Sequence, residues 1–121
     1  MMIATQRRID DVVSAVVTRR TDLLSEMAHR SFWVRVVGPG VDWKGWGSAA
    51  WDRFVETIAS DGALTGRQVA GDLHVGVPTS TAVMTFAGPD GGRHQRILVV
   101  TLHDDQVARL TYYQHALDEH A

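Results

Sequence analysis

No cysteine occurs in the 121 residues. That excludes disulfides, thiolate nucleophiles and cysteine-built zinc sites. Lysine is nearly absent too: Lys44 is the single one, against eleven arginines. The arginines are spread from Arg7 to Arg109 without a long run, and the formal net charge is −2. Nucleic acid and anionic membrane are therefore not expected partners, because both call for a concentrated basic surface. No apolar stretch approaches the roughly 18 residues that a membrane span needs. The first residues, MMIATQRRIDD, lack the apolar centre of a signal peptide, so a cytoplasmic location is expected. Repeats, low-complexity segments and an interdomain linker are absent. With 45% apolar and 21% charged residues, the composition is that of an ordinary globular protein, and residues 1–121 are expected to form one domain.

What is present is periodicity. Ile9, Val12, Val13, Val16 and Val17 form one helical stripe, with Thr5 as the expected N-cap. A second short helix is expected from a Thr21 cap, turning Leu23, Leu24 and Met27 inward. Phe32, Val34 and Val36 then alternate with Trp33, Arg35 and Val37, as in a strand covered on both faces. Gly38-Pro39-Gly40 breaks it. Ser48 is the expected cap of a third helix with the stripe Trp51, Phe54, Val55 and Ile58, stopped by Asp61-Gly62. Four strands follow, with a turn near Pro78, a hairpin signal in GPDGG at 88–92 and a turn at Asp104-Asp105. Ile97 to Val100 is apolar at four consecutive positions, so both faces of that strand need cover. The helices meet one face, and a second subunit is expected on the other, giving a homodimer through the sheet. Helices early and strands late predict an α+β fold, with helices on one face of a curved, mostly antiparallel sheet.

Within this order, Asp22-Leu23-Leu24, Gly47-Ser48-Ala49-Ala50-Trp51 and Asp105-Gln106-Val107-Ala108-Arg109-Leu110 resemble segments of the SnoaL-like members of the nuclear-transport-factor-2-like (NTF2-like) superfamily. The resemblance covers nearly the whole chain. It implies a cone-shaped half-barrel, three N-terminal helices on the sheet, and an interior pocket for a small apolar molecule. Ketosteroid isomerases, polyketide cyclases, dehydratases and epoxide hydrolases share that superfamily, as do many non-enzymes, so fold alone fixes function poorly. Aligned with ketosteroid isomerases, Val36 falls at the general base, and Val12 and Leu98 fall at the oxyanion-hole positions. All three are aliphatic, which argues against isomerase chemistry at those places. Nor is the acid–arginine–acid set of the epoxide hydrolases evident.

The resemblance also turns the face of His94, Arg96 and Leu98 inward, with Ala108, Leu110, Tyr112 and Gln114 inward on the next strand. His94, Arg96 and Tyr112 become the candidate catalytic groups. Val34, Val36, Met84, Phe86, Leu98, Leu110 and Gln114 become the candidate ligand-binding wall. Arg96 would polarise a ligand oxygen, and no carboxylate is expected on this face. Replacing Arg96 by Met is then expected to abolish binding and leave the melting temperature near wild type. Trp43 and Trp46 flank Lys44-Gly45 in what reads as a mobile loop; they either rim the pocket or fold back over the core. Asp72 and His74 share a strand face, which is either solvated or a second acid–base pair. His94, His103, His115 and His120 lie near one another in sequence but lack the spacing and carboxylates of a metal site. No metal or cofactor is expected. The function these features imply is binding of a small apolar or oxygenated ligand, with cofactor-free cyclisation, isomerisation or dehydration of a polyketide-, steroid- or terpenoid-like substrate. The alternative is a non-catalytic dimeric interaction or scaffold module.

Overall fold

The computed structural model describes residues 2–89 and 91–114. His115, His120 and the central Asp90 of the GPDGG turn lie outside the described residues. Two helices come first, α1 (Met2–Val17) and α2 (Thr21–Met27), followed by a hairpin of β1 (Ala28–Gly38) and β2 (Val41–Trp46). Helix α3 (Gly47–Ser60) leads through a 3-10 turn (Gly62–Thr65) into β3 (Arg67–His74), β4 (Thr79–Ala87), β5 (Arg93–His103) and β6 (Gln106–Tyr113). The helices pack on a curved, open six-stranded sheet of order β2-β1-β6-β5-β4-β3. Only β1 and β6 run parallel; the other pairs are antiparallel. Among the described residues there are three α-helices, but the third follows the first hairpin and so is not N-terminal to the sheet.

The core follows the two periods. Ile9, Val12 and Val16 of α1, Leu24 and Met27 of α2, and Trp51, Phe54 and Ile58 of α3 are buried in one cluster. Facing them are Val34 and Val36 of β1, Met84 and Phe86 of β4, Leu98 and Val100 of β5, and Leu110 and Tyr112 of β6. Full burial of such a side chain contributes about 1.5–3 kcal/mol. Trp51 also donates its indole N–H to Ser25 Oγ at 2.8 Å, which ties α3 to α2. Leu98 and Val100 point into the core, while Ile97 and Val99 are half-buried on the opposite face.

Several local expectations need correction. Leu23 is 38% exposed, because Leu24 and Met27 already fill the inner face of the seven-residue α2. Helix α1 begins ahead of Thr5. Arg20 and Trp46 hold the N-cap positions of α2 and α3, neither with a side-chain cap bond. Thr21 and Ser48 therefore lie inside the first turns. Residues 41–46 are a strand: Gly38 pairs with Val41 across Pro39-Gly40, and Gly40 takes φ 69°, a conformation open to glycine. Trp43 and Trp46 are thus held in register against Val36 and Trp33. On β6, Ala108 is skipped between the pairs Thr101–Arg109 and Leu102–Val107. This bulge hands the inward place near the turn to Val107, and Ala108 is only half-buried.

The segment after α3 runs tight against the end of β4. A Cβ built on Gly66 would meet the Ala87 carbonyl oxygen at 2.5 Å, whereas one on Gly62 meets nothing within 4 Å. Backbone cannot give way as a side-chain tip can. Gly66→Ala is therefore expected to lower stability by about 1–3 kcal/mol, and Gly62→Ala to change it by less than about 0.5 kcal/mol. Urea unfolding of both variants checks the difference.

Candidate functional site

The stripe of α3 continues past its end. Trp51, Phe54 and Ile58 are followed one turn later by Asp61, which closes α3 and opens the 3-10 turn. Its carboxylate accepts the Ala63 N–H at 3.1 Å and is aimed at the inner face of β5 and β6. There Arg96 donates through Nε to Oδ2 at 2.8 Å and through Nη2 to Oδ1 at 3.1 Å. Tyr112 donates its hydroxyl to Oδ2 at 2.6 Å. Gln114, whose backbone N–H is held by the Val37 carbonyl at 2.8 Å, reaches the same oxygen at 3.4 Å. Arg96 also donates to the Gln95 carbonyl at 2.7 Å. Both partners of the ion pair are buried, Asp61 to 7% and Arg96 to 8% residual exposure.

Burial alone would raise the Asp61 pKa, but the Arg96 and Tyr112 hydrogen bonds, the Arg96 charge and the Ala63 N–H together hold it below the usual carboxylate value. The Tyr112 hydroxyl moves the other way. Burial and then the adjacent Asp61 charge push it well above the ordinary phenol range, so it stays a donor. A fixed anion with a bidentate guanidinium and a phenol on it is an organised polar floor.

The floor opens into a cleft of about 820 Å³. One wall is the 3-10 turn and the start of β3, from Gly62 to Arg67. The other is the end of β4 and its turn, Ala87, Gly88 and Pro89, with His94 and Arg96 of β5 beside Asp61. Of the candidate residues, His94 and Arg96 line this cleft, while Tyr112 and Gln114 reach it through Asp61. Val34, Val36, Phe86, Leu98 and Leu110 are packed in the core, as is Met84, whose edge meets a shallow groove beside Asp10 and Val13. Trp43 lies under Arg53, 4.4 Å from ring centroid to guanidinium carbon. Both border a separate groove along α3 that Gln114 also lines. Trp46 is 75% exposed. Asp72 and His74 sit 3.3 Å apart on the solvent side. Among the described residues no group of three or more His, Asp or Glu side chains is arranged to hold a metal ion.

Asp61 is the residue that sequence reasoning missed. The expectation that no carboxylate would face Arg96 is overturned by the 2.8 Å contact. A signal existed: Asp61 occupies the next position of the apolar stripe, where a helix stop was the simpler reading.

No family model matches the sequence, and neither does any curated protein. Solved structures do match. An NTF2-like protein of unknown function from Mesorhizobium loti superposes with a TM-score of 0.68 at 14% identity, over 95% of this chain and 93% of that one. The chain has the NTF2-like fold. A second NTF2-like protein, from Burkholderia xenovorans, gives 0.64 at 12% identity over 98% and 94%. A Kribbella flavida protein named provisionally as a ketosteroid isomerase gives 0.65 at 13% identity over 99% and 84%. At such identities the likeness concerns the fold. In this fold Val12, Val36 and Leu98 are fully buried aliphatic core, while Asp61 and Arg96 are buried polar residues.

The ion pair changes what an Arg96 substitution should do. Arg96→Met strands a buried carboxylate and Asp61→Asn strands a buried guanidinium, so each is expected to cost about 3–5 kcal/mol. The double variant Asp61→Leu/Arg96→Met should be less destabilised than either single one. Urea unfolding of all three at pH 7 checks this.

Acid supplies a second test. The folded-state pKa of Asp61 lies below its unfolded value of about 3.9, so unfolding takes up a proton in that range. The contribution of Asp61 is complete above the unfolded pKa and is lost as pH falls through the folded one. Stability measured from pH 6 down to pH 2 should fall more steeply for the wild type than for Asp61→Asn.

Proposed function

We propose that this chain is a one-domain small-molecule-binding protein whose ligand occupies the cleft over Asp61 and Arg96. The observation that carries this is the buried Asp61–Arg96–Tyr112 network at the base of an open cleft of about 820 Å³. A volume of that order suits a drug-sized molecule, and such sites combine apolar walls with a few fixed polar groups. The ligand is partly apolar and oxygenated, lying along Ala63, Ala87 and Pro89, with an oxygen toward His94 and Arg96. The aliphatic residues first considered as a wall are packed against one another, which favours the mouth of the fold over its interior.

Where the ligand is also a substrate, the reaction is a cofactor-free cyclisation, isomerisation or dehydration of a polyketide-, steroid- or terpenoid-like molecule. Proton transfer falls to the His94 imidazole, which lines the cleft with Arg96. Arg96 polarises the oxygen, and Tyr112 and Gln114 hold Asp61 and Arg96 in place. The Tyr112 hydroxyl, fully buried and spent on Asp61, supports a positioning role.

A second feature favours association. On the outer sheet face Val83, Ile97, Tyr113 and Val37 form one cross-strand row, and Val99 and Thr111 sit in the next. All are half-buried in the single chain. This supports a homodimer through the sheet, and it is also the surface a non-catalytic interaction or scaffold module would use.

Two measurements test these proposals. In a fragment screen by ¹⁵N-correlated NMR, hits should cluster on the amides of residues 62–67, 87–89 and 94–96. Hits confined to the groove between Trp43 and α3 would sink the proposed site. Sedimentation at micromolar concentration should show a dimer, and Ile97→Lys with Val99→Lys should give a folded monomer; a monomeric wild type would remove the association.

A further inference from the structure

The proposed site is unequal in its hydrogen-bonding capacity. Among the described residues Asp61 is the carboxylate on its lining, and that carboxylate is already used. Oδ1 accepts from Ala63 and Arg96, and Oδ2 from Arg96, Tyr112 and, more weakly, Gln114. A carboxylate offers about four lone-pair sites, so five donors leave none for a ligand. Thr65 spends its hydroxyl proton on the Gly62 carbonyl at 2.6 Å. What remains on the walls is weighted to positive donors.

Arg67 is exposed, lines the cleft, and has no hydrogen-bond or ionic partner among the described residues. Its strand register sets it opposite Ala87, which is in turn opposite Arg93 on β5. Arg67, Ala87 and Arg93 share the outward parity of Ile97, so Arg67 meets the cleft at its outer rim while Arg96 lies on the floor. Among the described lining residues, Arg67 and Arg96 stand against one saturated aspartate, a positive balance. A guanidinium recognises a carboxylate through two parallel N–H donors.

We propose that the ligand of this cleft is a small organic carboxylate, its anionic end on Arg67 and its apolar body against Ala63, Ala87 and Pro89. The inference rests on the cleft being the binding site. Among the described residues, an amine ligand finds no carboxylate with spare capacity in the cleft. A neutral one leaves Arg67 to water. Because Arg67 is exposed, the attraction is screened by salt, so affinity should fall as ionic strength rises.

The test separates the ligand class from the site. Three sets of probes share phenyl, naphthyl and decalin frames, each prepared as the acid, the primary amide and the amine. Each is titrated into the full chain by ¹⁵N-correlated NMR. The acids should shift the Gly62, Gly66, Arg67 and Gly88 amides and bind about tenfold more tightly than the amides. Arg67→Gln should remove that advantage and leave amide binding unchanged, with an unaltered melting temperature. Amides or amines that bind at the cleft as tightly as the acids overturn the carboxylate proposal while the site stands. If none of the probes shifts cleft amides, site and ligand class fail together. If the acids keep their advantage in Arg67→Gln, the assignment to Arg67 is wrong.

Discussion

Between the last turn of α3 and the inner face of β5 and β6 lies a carboxylate almost out of water. Removing Asp61 and Arg96 from solvent costs several kcal/mol for each ion, and their attraction offsets this only when the remaining hydrogen-bonding positions are filled. They are filled here, by Tyr112, Gln114 and the Ala63 N–H. A hydrophobic contact tolerates sliding, whereas a two-point guanidinium–carboxylate pair does not. The network therefore sets where α3 ends, how the 3-10 turn leaves it, and how far β3 lies from the mouth of the sheet. The cleft is the space left by that constraint. Its two walls belong to segments far apart in sequence, and the pair spans a separation of 35 residues.

The α1 stripe, the alternation in β4 and β5 and the two late hairpins were legible because each is a local pattern with a single burial solution. Ile9, Val12 and Val16 have only one face to share, and Ile97 to Val100 can be buried only on two. Strand β2 was not legible. Val41 to Trp46 contains Asp42, Lys44 and Gly45, residues that disfavour strands, and it forms only by pairing with β1. Tertiary context overrode propensity there. Asp61 was hidden for a related reason: Asp-Gly after a helical stripe is also the usual way to stop a helix. The Ala108 bulge lies beyond period-two reasoning, which cannot see one inserted residue. Arg96 was placed on the correct face, but its partner lay on another element, and nothing local linked the two.

The Mesorhizobium, Burkholderia and Kribbella structures share 14% of residues or fewer with this chain. What persists at that distance is the pattern of inward positions, since many apolar side chains can satisfy it. Polar positions are freer to move. Here Val12, Val36 and Leu98 are fully buried in the apolar core, and the charged pair borders the open cleft. One scaffold can host unrelated activities, so the site, and not the fold, has to carry the functional argument.

An open sheet has two edges, and each is a row of peptide groups that another chain could extend. Edge strand β3 is interrupted by a bulge near Val69, carries Gly71, and displays Asp72 and His74 to solvent. Edge strand β2 is six residues long, bears Asp42 and Lys44, and runs straight into α3. Both are poor templates: one is bent and charged, the other short and charged. Open-ended strand addition, the route toward fibrils, is thereby discouraged at both margins. The apolar surface that remains, Val83, Ile97 and Val99, lies mid-sheet, away from either margin.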